Sequence, residues 1–179
     1  MGVRIVNPET LEPLPIGHSG LLLVKGPNVM QGYLNRPDKT AQVLRDGWYN
    51  TGDIATLDED GFLVIADRLS RFSKIAGEMV PHIKVEDTLH EVAGKTEQTF
   101  AVTGVPDEKR GERLVVLHTL TDEELSDVLG KFSAAEIPAL WKPKPSQFFH
   151  VESLPYLATG KMDLQRLKQL AAELSQAAV

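Results

Sequence analysis

A change in sequence character just after Arg68 limits what this chain can fold into. Before it, the sequence is rich in Gly, Pro and Asn, and its apolar runs, such as Leu21 to Val24, are short and separated by turn residues. After it, apolar residues recur at helical spacing between recognisable helix starts and stops. The pattern predicts a small β-rich lobe over residues 1–69, followed by a compact α+β domain over residues 70–179.

The second part contains signals for three helices and three strands. The helices have boundary residues of the kind that start or stop a helix: Pro81 and Gly94, Thr121 with Glu124 and Gly130, and Asp163. Three apolar runs are predicted strands: Phe100 to Val102, Leu114 to His118, and Gln147 to Val151. We therefore expect a central three-stranded sheet with flanking helices.

Composition excludes several classes of function. The net charge of −6 argues against nucleic acid as a partner, because phosphate binding relies on clustered Lys and Arg. The absence of cysteine excludes disulfides, thiolate nucleophiles and Cys-ligated zinc. The five histidines show no ligand spacing, so no protein-held metal is expected. The apolar runs are strand-sized, which predicts no transmembrane segment in this chain.

A turn in the first part places a carboxylate within reach of a ligand. Residues 47–53 read Gly-Trp-Tyr-Asn-Thr-Gly-Asp, and a Thr-Gly-Asp turn puts Asp53 on a backbone corner without a bulky neighbour. An ionised carboxylate accepts hydrogen bonds only, which suits a pair of ribose hydroxyls. A solvated turn aspartate is the alternative, and for this segment alone it is the more common one.

Two basic residues lie at positions that are compatible with ligand binding. Arg68 lies at the change in sequence character, where a residue between two lobes can bind a sugar or phosphate oxygen while the backbone beside it bends. Lys161 follows Thr-Gly just before a capped helix, and its ammonium can neutralise charge at a phosphoryl group. Arg68 could also be an ordinary surface cation, although its position favours a ligand-binding role. For Lys161 alone, a solvated lysine on a loop is the default interpretation.

Together and in this order, these segments resemble the adenylate-forming superfamily of acyl-CoA synthetases, nonribosomal-peptide adenylation domains and firefly luciferase. Residues 49–53 combined with Gly160-Lys161 carry the resemblance, and residues 102–108 with Gly111-Glu112 are typical of the C-terminal domain of that family. Residues 71–80 are most similar to the synthetase half of bifunctional 2-acylglycerophosphoethanolamine acyltransferase/acyl-[acyl-carrier-protein] synthetases.

The resemblance implies roles in a first half-reaction, formation of an acyl-adenylate. Asp53 would bind the ribose hydroxyls of ATP or AMP, and Arg68 would contact the same ribose and the nucleotide. Lys161 would orient carboxylate and phosphate oxygens. The implied cofactors are ATP and Mg²⁺, and the ion would arrive with the phosphates rather than in a protein cage.

A second half-reaction, thioester formation, is implied for the strand that carries Lys74 and Gly77. The acceptor would be CoA or the phosphopantetheine of acyl-carrier protein. The C-terminal domain would rotate between the half-reactions about a hinge at Ser70. Three departures from the family pattern stand out: Ser70 where Asp or Lys is usual, Leu21 in place of a glutamate, and Ser73 where an aliphatic residue is common. The first puts a charge-based role of the hinge in doubt.

The resemblance covers only the end of the large N-terminal domain and the whole C-terminal domain. The phosphate loop, adenine pocket and acyl pocket of the family precede this region, so we expect the 179 residues to need the remainder of their N-terminal domain and to be inactive alone. The expected acid is a fatty acid, in fatty acid or phospholipid metabolism, and the expected location is cytoplasmic or at the inner membrane.

Two alternatives remain open. One is a non-catalytic domain that binds a carrier protein, although the joint presence of Asp53, Arg68 and Lys161 argues against it. The other is a ligase for an amino or aryl acid.

Overall fold

The computed structural model describes residues 1–177, in two compact units. The first is Met1–Leu69 and the second begins at Ser70. That the first is the end of a large adenylation domain, and the second a mobile C-terminal domain, stays a prediction. The last two residues of the predicted domain 70–179 lie outside the described residues.

The first unit is built on a five-stranded antiparallel sheet. Its strands are β1 Gly2–Val6, β2 Ser19–Lys25, β3 Leu44–Arg45, β4 Trp48–Leu57 and β5 Leu63–Arg68. The order is β1-β2-β4-β3, and β5 also pairs with β4. A short helix, α1 (Pro37–Val43), contributes no buried residue. The buried core of the unit centres on Ile5, Leu22 and Ala55.

The second unit also contains a five-stranded sheet, together with three helices. Its strands are β6 Phe72–Ile75, β7 Glu78–Pro81, β8 Phe100–Asp107, β9 Gly111–His118 and β10 Phe148–His150. Its helices are α2 His82–Ala93, α3 Asp122–Ser133 and α4 Leu164–Ala177. The α+β class is confirmed, and the three predicted strands are β8, β9 and β10. The sheet is larger than predicted because the β6–β7 hairpin joins β9 at the pair Ile75–Gly111.

The sheet of the second unit is buried on both faces. Phe100 and Val102 pack with α2 and α3, whereas Ala101 and Val105 pack with α4. Successive residues of a strand point to opposite faces, so a strand between two helical layers reads as a continuous apolar run. This explains why β8 and β9 are the clearest strand signals in the sequence.

All the predicted helix boundaries except Gly130 are confirmed, and Pro81 directly precedes α2. Gly94 ends α2 in the left-handed conformation, with φ of 64°, and Thr121 with Glu124 forms the capping box of α3. Asp163 Oδ1 accepts hydrogen bonds from the first amides of α4, at 3.0 and 3.1 Å.

The predicted stop at Gly130 is wrong, because α3 continues to Ser133. Glycine inside a helix costs about 1 kcal/mol relative to alanine. The extra turn places Phe132 in the core with 2% of its surface exposed, and burying a phenyl side chain is worth about 2–3 kcal/mol. Burial therefore outweighs the local preference.

Helix α2 also covers the open edge of β8, for which β9 is the one partner strand among residues 1–177. Glu86 Oε1 accepts from the Val102 amide at 2.7 Å, and His90 Nε2 accepts from the Thr99 amide at 2.9 Å. An uncovered edge strand is a template for aggregation. Two helix side chains here satisfy amides that a further strand would otherwise bind.

Candidate functional site

Asp53 and Arg68 form an ion pair on neighbouring strands of the first unit. They are register partners on β4 and β5, and Arg68 Nε lies 2.9 Å from Asp53 Oδ1. Arg68 also donates through Nη1 to the Thr51 carbonyl at 3.0 Å. The Arg68 side chain is 63% exposed and that of Asp53 21%. Two of the predicted nucleotide-binding residues are therefore adjacent and reachable from solvent.

A bulge in β4, rather than a flexible turn, positions Asp53. The register between β2 and β4 shifts between Leu21 and Leu23, so that residues 51–53 are accommodated opposite Leu22. The predicted backbone corner is thus part of a continuous strand. Bulges re-aim side chains at the edges of sheets and beside ligand sites.

Local hydrogen bonds hold the bulge in one conformation. Thr51 Oγ1 donates to the Leu22 carbonyl and accepts from the Asp53 amide, both at 3.0 Å. Gly52 has φ of +73°, which an L-residue adopts only with strain. Threonine and glycine therefore fix the carboxylate that follows them.

The Asp53 carboxylate keeps capacity for a ligand. Among residues 1–177, Arg68 is the one side chain within ion-pair distance of it. A carboxylate offers about four lone-pair sites. Two ribose hydroxyls fit this donor set chemically, because both can donate to the same carboxylate.

Two tyrosines beside this pair were not among the predicted site residues. Burial raises the pKa of Tyr49, and its hydrogen bond with Tyr33 acts in the same direction. The charge of Arg68 lowers the pKa of Tyr49 and that of Asp53 raises it, so the phenol lies in the field of the ion pair. The signal for Tyr33 is its Gln-Gly-Tyr segment, which is too common to identify a site.

Ser70, the predicted hinge, is exposed and lies in a single 3₁₀ turn, Leu69–Arg71. The division between the two units falls between Leu69 and Ser70. Because Ser70 itself is exposed, its side chain has few packing contacts that resist a change of its dihedral angles.

Lys74 and Gly77 lie on the β6–β7 hairpin. Lys74 is exposed, and its amide donates to Glu112 Oε2 at 2.7 Å. The loop of the hairpin is Ala76-Gly77, with φ of +51° and +90°, the signs of a type I′ turn. A Cβ added at Gly77 would meet nothing within 4 Å, so the backbone conformation rather than space favours glycine there.

Arg71 and Glu86 form a largely buried ion pair just after the predicted hinge. Arg71 Nη2 lies 2.5 Å from Glu86 Oε2, and the two side chains are 17% and 8% exposed. Burial raises the pKa of Glu86, whereas the charge of Arg71 and the Val102 amide act to lower it. The pair connects the start of β6 to α2 and, through Glu86, to β8.

Ser73, which departs from the family pattern, has a buried polar partner. Its Oγ lies 2.9 Å from His82 Nε2, and a Cβ added at Gly104 would lie 1.9 Å from that Oγ. Burial, followed by the charges of Arg71 and Lys168, lowers the pKa of His82 to about 3. Ser73 and His82 therefore form a small buried polar pair, and the missing side chain of Gly104 leaves room for it.

Lys161 is exposed at the end of a tight loop. The Leu157 amide donates to the Lys161 carbonyl at 2.8 Å, and Tyr156 forms a bridge with Met162. Asp163, two residues later, caps α4. The lysine is therefore displayed on a short hairpin tied to a helix start, and it is not buried in its own unit.

Within residues 1–177, no group of three or more His, Asp or Glu residues is arranged to hold a metal ion. Over the same residues, no helix has the length and apolar character needed to cross a bilayer.

Comparison with known proteins identifies relatives of this chain. Residues 84–161 match the family described as AMP-binding enzyme C-terminal domain. The chain is 38% identical to a feruloyl-CoA synthase of an Amycolatopsis species, over 89% of this chain and 32% of that protein. It is 37% identical to a long-chain-fatty-acid–CoA ligase of Bacillus subtilis, over 94% of this chain and 30% of that protein.

Solved structures also match this chain. The o-succinylbenzoate CoA synthetase of Bacillus subtilis, in complex with its acyl-adenylate intermediate, matches with a TM-score of 0.72 and 28% identity over 93% of this chain and 33% of that one. ATP-bound MatB of Rhodopseudomonas palustris matches with a TM-score of 0.73 and 28% identity, over 94% and 33%. The chain spans about a third of the length of the relatives it matches.

Proposed function

Because this chain carries the AMP-binding enzyme C-terminal domain of the adenylate-forming superfamily, we propose that it acts as the C-terminal part of an ATP-dependent acid–thiol ligase. The enzyme would join a carboxylic acid to AMP and then transfer the acyl group to a pantetheine thiol. The observation that carries the proposal is the Asp53–Arg68 pair, in which Asp53 lies on the bulged strand β4 and Arg68 is exposed on β5, together with the exposed Lys161 in a domain of this family.

In the first half-reaction, Asp53 would accept hydrogen bonds from the ribose hydroxyls of ATP, and Arg68 would hold that carboxylate in place. Lys161 would place its ammonium beside the carboxylate and phosphate oxygens, where it offsets charge that develops during adenylation. Mg²⁺ would arrive bound to the phosphates, since the described residues offer no cluster for it.

In the second half-reaction, the β6–β7 hairpin with Lys74 and Gly77 would face the incoming thiol. Rotation about Ser70 would exchange this hairpin for Lys161. The exposure of Ser70 within a short 3₁₀ turn supports this proposal, because one short segment absorbs the backbone change in many hinge motions.

For the acid and the acceptor, we propose a fatty acid and either CoA or acyl-carrier protein. The relatives include long-chain-fatty-acid–CoA ligases, which favours a fatty acid and CoA. The similarity of residues 71–80 to acyl-carrier-protein synthetases favours the carrier protein. Feruloyl-CoA synthase among the relatives keeps an aryl acid as the alternative acid.

The test uses ATP–pyrophosphate exchange. The 179 residues alone should show none, and the chain fused to the upstream part of the Bacillus subtilis ligase should exchange with fatty acids. Lys161→Ala should lower the exchange rate of the fusion by about 100-fold or more, as expected for loss of a charge-stabilising contact. Lys168→Ala, an exposed lysine on α4, is the matched control and should leave the rate within about twofold.

If Lys161→Ala and the parent fusion exchange pyrophosphate at the same rate, the proposed role of Lys161 in adenylation is wrong. Exchange by the 179 residues alone would overturn their dependence on an upstream domain. Thioester formation, measured with CoA and with acyl-carrier protein in parallel, then identifies the acceptor.

A further inference from the structure

A further candidate site lies in the second unit, between the β8–β9 pair and the last turns of α4. It is a cavity of about 410 Å³, a volume within the range that is typical of small-molecule sites. Six residues line it: Val105, Pro106, Arg113, Ala172, Ser175 and Gln176. None of these six has a role in the two half-reactions proposed above.

Ser175 lines this cavity, and its hydroxyl has no hydrogen-bond partner. Leu167, Ala171 and Ser175 are the buried residues of α4, and the first two pack in an apolar cluster. Ser175 is 6% exposed, and its Oγ is buried without a hydrogen-bond partner. A helical serine commonly donates to a carbonyl of the preceding turn, as Ser133 does to the Gly130 carbonyl at 2.7 Å. The buried hydroxyl of α4 is therefore available to a ligand.

Arg113 adds a positive charge to the same cavity. It is the register partner of Val105, and its Nε is buried without a hydrogen-bond partner. Among residues 1–177, no carboxylate forms an ion pair with its guanidinium. Hydrogen bonds from the Arg110 and Lys109 amides lower the pKa of Asp107, and the charge of Arg113 acts in the same direction without an ion pair. A cation and a buried hydroxyl, both without partners in one cavity, indicate an anionic ligand.

The lining favours a carboxylate over a phosphate group. A carboxylate accepts hydrogen bonds from two donors at once, and its bonds with a guanidinium are charge-assisted. Arg113 is the one charged residue of the lining, so it would neutralise a carboxylate but only part of the charge of a phosphate group. Val105, Pro106 and Ala172 supply apolar surface, which suits a hydrocarbon body.

We propose that this cavity binds a small monocarboxylic acid, with its carboxylate on Arg113 and Ser175 and its hydrocarbon body against Val105, Pro106 and Ala172. Two sources share this chemistry. One is the fatty acid of the proposed ligase reaction, which would then act also as an effector, and the other is a short carboxylate of different origin. Only the choice of the first source rests on the proposed function.

The test is titration of the 179-residue chain with acetate, hexanoate, decanoate and hexan-1-ol, followed by amide NMR. Hexanoate should bind with a Kd on the order of 0.1–1 mM and shift the amide signals around Val105, Arg113 and Ser175. Hexan-1-ol has the same chain without the charge. It should bind at least about tenfold more weakly, the effect of losing one charged hydrogen bond.

Two variants test the two polar contacts. Arg113→Gln should weaken hexanoate binding about tenfold or more, whereas Arg166→Gln, an exposed arginine on α4, is the matched control and should bind like the parent. Ser175→Ala should weaken hexanoate about threefold to tenfold, the effect of losing one neutral hydrogen bond. Ser126→Ala, an exposed serine on α3, is its control and should leave the Kd unchanged.

The stability of Ser175→Ala without ligand separates a binding role from a structural one. The variant should unfold at the same urea concentration as the parent or at a higher one, because the buried hydroxyl has no partner to lose. A loss of stability would overturn the proposal, because the hydroxyl would then already have a partner in the free chain, such as an ordered water.

The order of affinities identifies the source. Affinity that rises with chain length assigns the cavity to the fatty acid, and affinity that does not rise assigns it to a short carboxylate of different origin. Equal affinity for hexanoate and hexan-1-ol overturns the proposal. So does a Kd above about 10 mM for every acid, or unchanged affinity in both Arg113→Gln and Ser175→Ala.

Failure here and failure of the proposed function are distinguishable. Acid binding by the chain, together with a fusion enzyme that never exchanges pyrophosphate, would leave the cavity assigned and the ligase proposal rejected. Exchange by the fusion without acid binding to the chain would have the opposite meaning.

Discussion

The two units each contain a close arginine–carboxylate pair, and the two pairs lie in opposite surroundings. In the first unit Arg68 is 63% exposed and Asp53 21%, whereas Arg71 and Glu86 in the second are 17% and 8% exposed. An exposed pair contributes about 0–1 kcal/mol to stability, while removing one partner of a buried pair costs about 3–5 kcal/mol. The comparison teaches that the first pair is available to a ligand and the second serves the fold.

The chain offers one tryptophan in each unit to test this difference. Trp48 lies on β4 in the first unit, and Trp141 packs against the core of the second. A Trp48→Phe background therefore reports unfolding of the second unit by fluorescence, and a Trp141→Phe background reports the first.

The largest expected effect is the loss of Glu86. Glu86→Gln should lower the free energy of unfolding of the second unit by about 3 kcal/mol, because it removes the buried negative charge that faces Arg71. Urea denaturation in the Trp48→Phe background measures it. The double variant Arg71→Met/Glu86→Gln should recover all but about 1 kcal/mol, because neither charge then remains buried. Equal losses in the single and double variants would show that the pair is not what stabilises the unit.

A smaller effect should appear when pH is lowered. With its pKa held at about 3, His82 stays neutral in the folded unit, whereas in the unfolded chain it takes up a proton below about pH 6.5. The unfolded state then binds more protons, so stability is full above pH 6.5 and falls as pH drops through the window from 6.5 to about 3. The loss between pH 6 and pH 5 should be about 1 kcal/mol.

The control for this prediction is His82→Gln, whose side chain cannot titrate. The difference in unfolding free energy between parent and variant should change by about 1 kcal/mol over that pH interval. A constant difference would mean that His82 titrates alike in both states, and its assigned burial would be wrong.

The sequence predicted the elements whose signals are local. Gly94 and the Thr121–Glu124 box mark helix ends through hydrogen bonds within one turn. β8 and β9 read as apolar runs because the sheet is covered on both faces. The helix end predicted at Gly130 was wrong because the burial of Phe132, a tertiary effect, outweighs the low helix propensity of a single glycine.

Features that depend on distant contacts could not be predicted. Arg71 and Glu86 are fifteen positions apart, and they meet because the fold places the 3₁₀ turn before β6 beside α2. The β8–β9 turn and residues 139–147 are far apart in the sequence, yet both line one cavity of the second unit. Asp53, Arg68 and Lys161 were predicted as site residues only because several segments, each uninformative alone, occur in the order that is typical of one family.

The smallest expected effect on stability belongs to the exposed pair, and it is the most informative about function. Asp53→Asn keeps the shape of the side chain and an oxygen that can accept from Arg68, so the free energy of unfolding of the first unit should change by less than about 1 kcal/mol in the Trp141→Phe background. In the fusion enzyme, the same substitution should raise the KM for ATP about tenfold or more, because an amide is a weaker acceptor for two hydroxyl donors than a carboxylate. Asp58→Asn, in the exposed turn between β4 and β5, is the control and should leave the KM unchanged. A large loss of stability with an unchanged KM would make Asp53 a structural residue, and the two arginine–carboxylate pairs would then differ only in their exposure.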